Sequence, residues 1–380
     1  MRKKAALLAA SALSATTSGL LWPFMTVDLY ELGGSMVQIV SLDALPALSY
    51  VLSIVWGALS DYCGERRKFI VTGQLLAVIP LVAATRARDP ALFTVAMLAT
   101  NLLYSVSSPS FFAALGEAGG SAMYAYSELV NALGWTAGAA AIGPLYSVGG
   151  EGAVYSAAVA FVVSSALTIA LFYREETEVR GRELACYLGK VLKLKFEITR
   201  EMKTFLVSMF AAWVSTYWTS ALLKVKLYRL LGGSVESYSA IFGAAGLASA
   251  AASLVAARVV EKAGSAALVA FSISAYSILI PLLGVTPEPS TFAILYCTPI
   301  WPLFWVGQLA AAFELSREGA EGESMGALMA VTSVSCIPAI AGGFVAECAS
   351  LDVAIVLGGL LNLVPLVLLA RARLVPKRRV

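Results

Sequence analysis

The chain has 380 residues, of which 59% are hydrophobic and 13% charged, with a net charge of +3 and a mean hydropathy of +0.80. Ordinary soluble domains are about 45–50% apolar and about 25% charged, so composition excludes a water-soluble globule and calls for a lipid environment. The small basic excess sits between apolar runs and gives no nucleic-acid surface. Cys63, Cys186, Cys297, Cys336 and Cys348 form no CxxC pair, so neither a disulfide framework nor a metal site is indicated. There is no histidine. No cofactor pattern is present either, as neither a phosphate loop nor a dinucleotide glycine pattern occurs.

A membrane-spanning helix needs about 20 mostly apolar residues. The first such run starts after Met1-Arg-Lys-Lys4, which has the form of a secretory signal. The apolar stretch continues to Val27, however, and reads better as a first span over 5–27. Five more follow at 36–58, 69–86, 91–115, 121–146 and 153–173. Residues 174–203 are a charged interval in which Leu184, Leu188, Val191, Leu192 and Ile198 recur beside Lys190, Lys193 and Lys195. That pattern suits either a basic helix on the membrane surface or a solvated linker. Spans at 204–226, 236–257, 265–284, 290–313, 324–346 and 352–370 complete the set, and a basic tail occupies 371–380. The expected organisation is therefore all-α: a six-helix bundle over 1–173, a cytoplasmic linker over 174–203 and a second bundle over 204–370.

Of the 27 lysines and arginines, all but Arg86, Arg88, Lys224, Lys226 and Arg229 fall on the side of the N-terminus. The positive-inside rule then places both chain ends in the cytoplasm, and the expected location is the plasma membrane. Lys224 and Lys226 are expected to snorkel from the outer end of span seven to the interface.

The halves resemble each other. Leu29-Tyr-Glu-Leu-Gly-Gly-Ser35 follows span one, and Leu227-Tyr-Arg-Leu-Leu-Gly-Gly-Ser234 follows span seven. Asp61-Tyr-Cys-Gly64 after span two answers Glu261-Lys-Ala-Gly264 after span eight. Six spans separate the copies, so the repeat is parallel, an arrangement found in transporters with a central site.

Residues 57–68 read Gly-Ala-Leu-Ser-Asp-Tyr-Cys-Gly-Glu-Arg-Arg-Lys. This resembles the loop between helices two and three of the major facilitator superfamily, through Gly57, Leu59, Asp61, Gly64, Arg66 and Arg67. The resemblance implies two pseudo-symmetric six-helix bundles of about twelve helices, working as a monomer. It also assigns Gly57, Asp61, Gly64, Arg66 and Arg67 to gating on the cytoplasmic side. Physically, the glycines permit a tight turn and the arginines pair with carboxylates. The second-half copy departs from the pattern, with Ala257 and Val259 in place of glycine and leucine. Gly134, Gly138, Gly143-Pro144 and Gly149-Gly150 resemble the drug–proton antiporter motif only loosely, and small residues at such spacing let helices pack closely.

In that family spans one, four, seven and ten surround the cavity. In this chain they carry Thr16, Thr17, Trp22, Asn101, Tyr104, Ser108, Trp213, Thr216, Tyr217, Trp218, Tyr296, Trp301, Trp305 and Gln308. Asn101, Tyr104, Trp213, Tyr217, Trp301, Trp305 and Gln308 are the candidate solute contacts, suited to a neutral or amphipathic organic molecule. Trp22, Tyr217 and Trp218 also suit a role as interface anchors. Pro299 and Pro302 are expected to interrupt span ten. Asp43 and Glu128 are acids within spans, where charge is costly, and are the candidates for carrying a coupling proton.

Gly322-Glu-Ser-Met-Gly326 fits the G-x-S-x-G pattern of serine hydrolases, but such a serine needs a histidine. An enzyme is therefore not expected. The expected function is secondary active transport of a small organic solute by alternating access, with lipid and a coupling proton or ion as the other partners. The alternative is a transporter-like sensor or scaffold that binds solute without flux.

Overall fold

The computed structural model describes residues 2–174, 199–316 and 321–372, and among them there are helices and turns but no strand. In chain order the helices are α1 (Arg2–Glu31), α2 (Met36–Ala44), α3 (Ser49–Cys63), α4 (Arg66–Ala84), α5 (Pro90–Tyr104) and α6 (Ser108–Phe172). Next come α7 (Arg200–Leu230), α8 (Val235–Ala263), α9 (Ser265–Val285), α10 (Pro289–Tyr296) and α11 (Trp301–Glu314). The last five are α12 (Glu321–Val334), α13 (Cys336–Ala339), α14 (Ala341–Cys348), α15 (Leu351–Leu360) and α16 (Leu363–Ala372). Most of the 174–203 linker, with its expected surface helix, and the tail beyond residue 372 lie outside the described residues.

Helix is the form a bilayer imposes, because it satisfies every backbone group within its own segment. Among the described residues, eleven stretches are long and apolar enough to cross a membrane. Large apolar side chains stand on their outer faces without protein cover: Ile79 is 67% exposed, Leu254 70% and Ile294 73%. In water such faces would drive association; against lipid chains they are at home.

One of the eleven stretches, Tyr126–Phe172, has 47 residues. That is about 70 Å of helix, against a hydrocarbon core of about 30 Å. Its contacts with α1 resolve the excess. Ser127 meets Ser11 at 2.8 Å, Gly138 abuts Thr16 and Leu20, and Tyr146 packs on Phe24, so this part climbs alongside α1. Beyond it Tyr155 meets Asp28, and Ser165 bonds Ser14 at 3.0 Å and the Ala10 carbonyl at 3.1 Å, so the chain descends again. The reversal falls at Gly150, whose φ of +62° is open to glycine at little cost. Two passes therefore share one helical stretch, and the count of about twelve spans holds.

Prolines divide other spans, since each lacks an N–H and crowds the carbonyl four residues back. Pro46 lies in the 3₁₀ turn Leu45–Leu48 that separates α2 from α3. Span ten breaks between α10 and α11, with Pro299 in the break and Pro302 in the first turn of α11, as the sequence predicts. Pro338 sits in the short α13. At the start of α10 Glu288 caps the helix, and hydrogen bonds from Ser290 and Thr291 hold its carboxyl down at about 2.

The chain packs into two compact units. One gathers Met1–Gly34, Leu48–Leu194 and Val235–Gly246, and the other Ser35–Ala47, Lys195–Ser234 and Leu247–Val380. Thus α2 packs with the second unit, and the opening turns of α8 with the first. In the first unit α1 is the centre, lying against both passes of α6; Leu7, Ala10, Ile70, Leu115 and Ile169 form a core near its start. In the second, α7 is the centre, with α2, α12, α15 and α16 against it. Here α2 is held by its neighbour α14: a Cβ on Gly343 would lie 2.5 Å from the Val37 Cα, and the Glu347 carboxylate accepts from the Val37 N–H at 3.1 Å.

Candidate functional site

The first unit contains a cleft with about 560 Å3 of empty space in and at its mouth, lined from α1 by Ser14, Thr17, Ser18, Leu21, Trp22 and Met25. Met97, Thr100, Asn101 and Tyr104 line it from α5, and Ala77, Leu81 and Val162 complete it. Asn101 and Tyr104, singled out in the sequence, therefore share one wall. Trp22 is a cleft residue as well as an aromatic near the end of a span. The Tyr104 hydroxyl stands beside Ser14 and Gln74, and the Gln74 amide is 3.4 Å from the Ser14 hydroxyl.

Asp28 lies beyond this cleft on α1. It is 5% exposed, and its carboxylate accepts from the hydroxyl of Tyr155, itself 1% exposed. Phe24 packs edge-on to the same tyrosine at 5.5 Å. Ending span one at Val27 leaves Asp28 outside the membrane. The structure instead continues α1 to Glu31 and turns the chain at Gly33, with φ +82°. The legible signal is that glycine pair: Leu29-Tyr-Glu-Leu32 carries on the helix, and nothing stops it before Gly33.

The second unit holds an aromatic cluster. Trp213 and Tyr217 of α7 are 5.1 Å apart between ring centroids, and Trp213 meets Trp301 at 5.5 Å and Trp305 at 6.1 Å, both edge-on. Trp301 and Trp305, one turn apart on α11, stack at 6.0 Å, and Trp301 is 40% exposed. The Trp213 indole donates to Oε1 of Gln308 at 2.9 Å. An indole N–H is only a donor, so this bond fixes the amide's orientation and leaves its NH2 facing elsewhere. All five sequence candidates of this half come together. Trp218 does not join them; its indole donates to the Ala354 carbonyl at 2.9 Å and packs on Gly342 and Gly358.

The in-span acids separate. Asp43 is 1% exposed and pairs with the Lys224 ammonium, also buried. Glu128 is exposed. Lys224 and Lys226 do not snorkel. Lys226 is 5% exposed, donates to the Gly284 carbonyl, pairs with Asp352 at 2.8 Å and lies over the Phe292 ring. Lys224 has a buried counter-charge in Asp43, and Lys226 is held by the Gly284 carbonyl and the exposed carboxylate of Asp352.

At residues 57–68, Gly64 ends α3 with φ +67°, and a Cβ on Gly57 would lie 3.3 Å from Pro109. Arg66 pairs with Glu117 at 3.0 Å, and the Arg67 guanidinium donates to the Ala170 carbonyl. The arginines thus tie the start of α4 to the opening part of α6, ahead of its first pass, and to its second pass. Glu117 is not among the sequence candidates, because nothing near it in the chain marks it. The side chain of Asp61 lies outside the described ones.

The model of the major facilitator superfamily matches residues 7–343, which take in the 57–68 loop, the cleft and the aromatic cluster. The chain belongs to the major facilitator superfamily. It is accordingly a multi-pass membrane transporter. Among solved structures, a point mutant of the nucleoside transporter NupG is 14% identical with a TM-score of 0.82, over 97% of this chain and 99% of that one. The human organic anion transporter MFSD10 (TETRAN) is 17% identical with a TM-score of 0.67, covering 97% and 99% of the two chains. A POT family transporter bound to 5-aminolevulinic acid is 12% identical with a TM-score of 0.74, covering 98% and 97%. At such identities these structures share the fold and leave the solute open. No curated protein matches the chain.

Proposed function

We propose that this superfamily member is a secondary active transporter that moves a small organic solute by alternating access, driven by protons. Asn101 and Tyr104 in the first unit, and Trp213, Tyr217, Trp301, Trp305 and Gln308 in the second, are its solute contacts. Gly57, Asp61, Gly64, Arg66 and Arg67 form its gate. It works as a monomer in the plasma membrane, with both ends in the cytoplasm on the strength of the lysine and arginine bias.

Asp28 is the observation that carries proton coupling. The titratable or charged groups facing it are Tyr155, Glu31, Glu151 and Arg88, with Tyr146 close by. Tyr155 is a neutral donor, and Arg88 is 79% exposed and lies 3.9 Å from Glu151. Asp28 therefore has no buried counter-charge among the described residues, unlike Asp43, while Glu128 is already exposed. Asp28 lies three residues from Met25, and Tyr155 seven from Val162, so each shares a helix face with a cleft residue. A proton gained or lost there changes the charge about one helical turn beyond the cleft.

The test is flux in proteoliposomes under an imposed pH gradient, with uridine, 5-aminolevulinate and a dipeptide as probes. Accumulation above equilibrium that a protonophore abolishes is the expected result. Binding without flux would favour the sensor reading. In Asp28→Asn, downhill exchange is expected to persist while pH-driven accumulation is lost. Undiminished accumulation in that variant would remove Asp28 from coupling.

A further inference from the structure

We infer that the solute is uncharged and rich in hydrogen-bond donors, a polyhydroxylated ring compound of monosaccharide or nucleoside size. This rests on the transport reading only in taking the first unit's cleft as a wall of the solute site.

The first observation concerns charge. No acidic or basic side chain lines the cleft among the described residues. An ion moved from water into such a place loses hydration worth several kcal/mol and meets no counter-charge to recover it. Organic anions and zwitterionic peptides are therefore poor occupants. A neutral molecule carries no such penalty.

The second observation concerns the direction of hydrogen bonding. The Thr17 hydroxyl donates to the Leu13 carbonyl at 3.1 Å, Ser18 to the Ser14 carbonyl at 3.2 Å and Thr100 to the Ala96 carbonyl at 2.9 Å. Asn101 likewise places its amide nitrogen 3.0 Å from the Met97 carbonyl. A hydroxyl has one proton, so each of these has committed its donor to its own helix and keeps acceptor lone pairs. Asn101 keeps its side-chain carbonyl and one remaining N–H. Four of the wall's polar side chains thus present acceptors, and their complement is a solute that brings O–H or N–H groups. Hydroxyls spaced around a ring meet that need without charge.

The third observation is shape. Trp22, Leu21 and Met25 supply an apolar face from α1, suited to the C–H face of a sugar ring.

The experiment measures calorimetric binding and proteoliposome flux for the wild-type full chain, using uridine and myo-inositol as neutral polyhydroxylated probes. 5-Aminolevulinate, a dipeptide and benzoate serve as charged ones. Saturable binding of a neutral probe, with none of the charged set binding more tightly, is expected. Asn101→Leu should weaken that binding about threefold to tenfold, the worth of one neutral hydrogen bond, and Asn101→Thr, which restores an acceptor, should recover part of it. Tighter binding of any charged probe, or no binding of either neutral one, overturns the solute class. Neutral probes that bind and never cross would leave the class standing and sink transport, so the two failures are distinguishable.

Discussion

Lys224→Met is expected to be among the most destabilising single substitutions in this protein, at about 3–5 kcal/mol, the loss seen when one partner of a buried ion pair is removed. The reason lies in Asp43. Both side chains are buried, Asp43 at 1% and Lys224 at 3% exposed. Removing the ammonium strands a carboxylate away from water. Removing both charges costs far less, because two neutral groups of similar size need no solvation. The double variant Asp43→Asn, Lys224→Met should therefore recover most of the loss. Thermal unfolding of detergent-solubilised protein provides the measurement. Equal losses in the single and double variants would mean that the pair contributes packing and not charge compensation. The effect should also reach α2, since Asp43 lies in its last turn and ties it to α7.

Gly138→Ala is expected to cost at least about 1–3 kcal/mol, the usual range for overpacking a tight contact. A Cβ there would sit 2.2 Å from the Thr16 carbonyl oxygen and 3.0 Å from the Leu20 nitrogen, both backbone atoms of α1. Backbone cannot swing aside as a side chain does, so the helices must separate. Gly19 faces the same pass of α6 from the other side, with 2.1 Å to the Trp135 carbonyl oxygen, and Gly19→Ala should behave alike. Gly152→Ala is the control. Nothing lies within 4 Å of its Cβ position, and replacing a helical glycine by alanine gains up to about 1 kcal/mol. Melting temperatures of the three variants decide the matter: a Gly138→Ala protein as stable as Gly152→Ala would show that the α1–α6 contact is loose.

These glycines illustrate what a linear reading conveys. Their spacing in span five resembles an antiporter motif only loosely, and close packing is the alternative that their chemistry supports. The structure puts Gly134 and Gly138 against α1 and Gly143 against the opening turns of α8. The stripe thus serves two neighbours, which spacing alone does not distinguish. Lys224 and Lys226 depart from their sequence expectation for a related reason. An ammonium near a span end snorkels by default, and the partners that keep these two buried, Asp43, Asp352 and the Gly284 carbonyl, lie 58 to 181 residues away.

The helical class, the number of spans, the interruption of span ten and the loop at 57–68 can all be read along the chain. These are legible because each membrane helix bonds its own backbone, so a window of about 20 residues contains the whole cause. Three outcomes came from the packing of the helices: Asp28 lies inside the first helix with Tyr155, Trp213 and Trp218 little more than a turn apart serve different neighbours, and α2 packs with the second unit. Those outcomes depend on which helix faces come together. In an apolar solvent that choice is made by close contacts and polar pairings between residues distant in the chain, and no local window contains it.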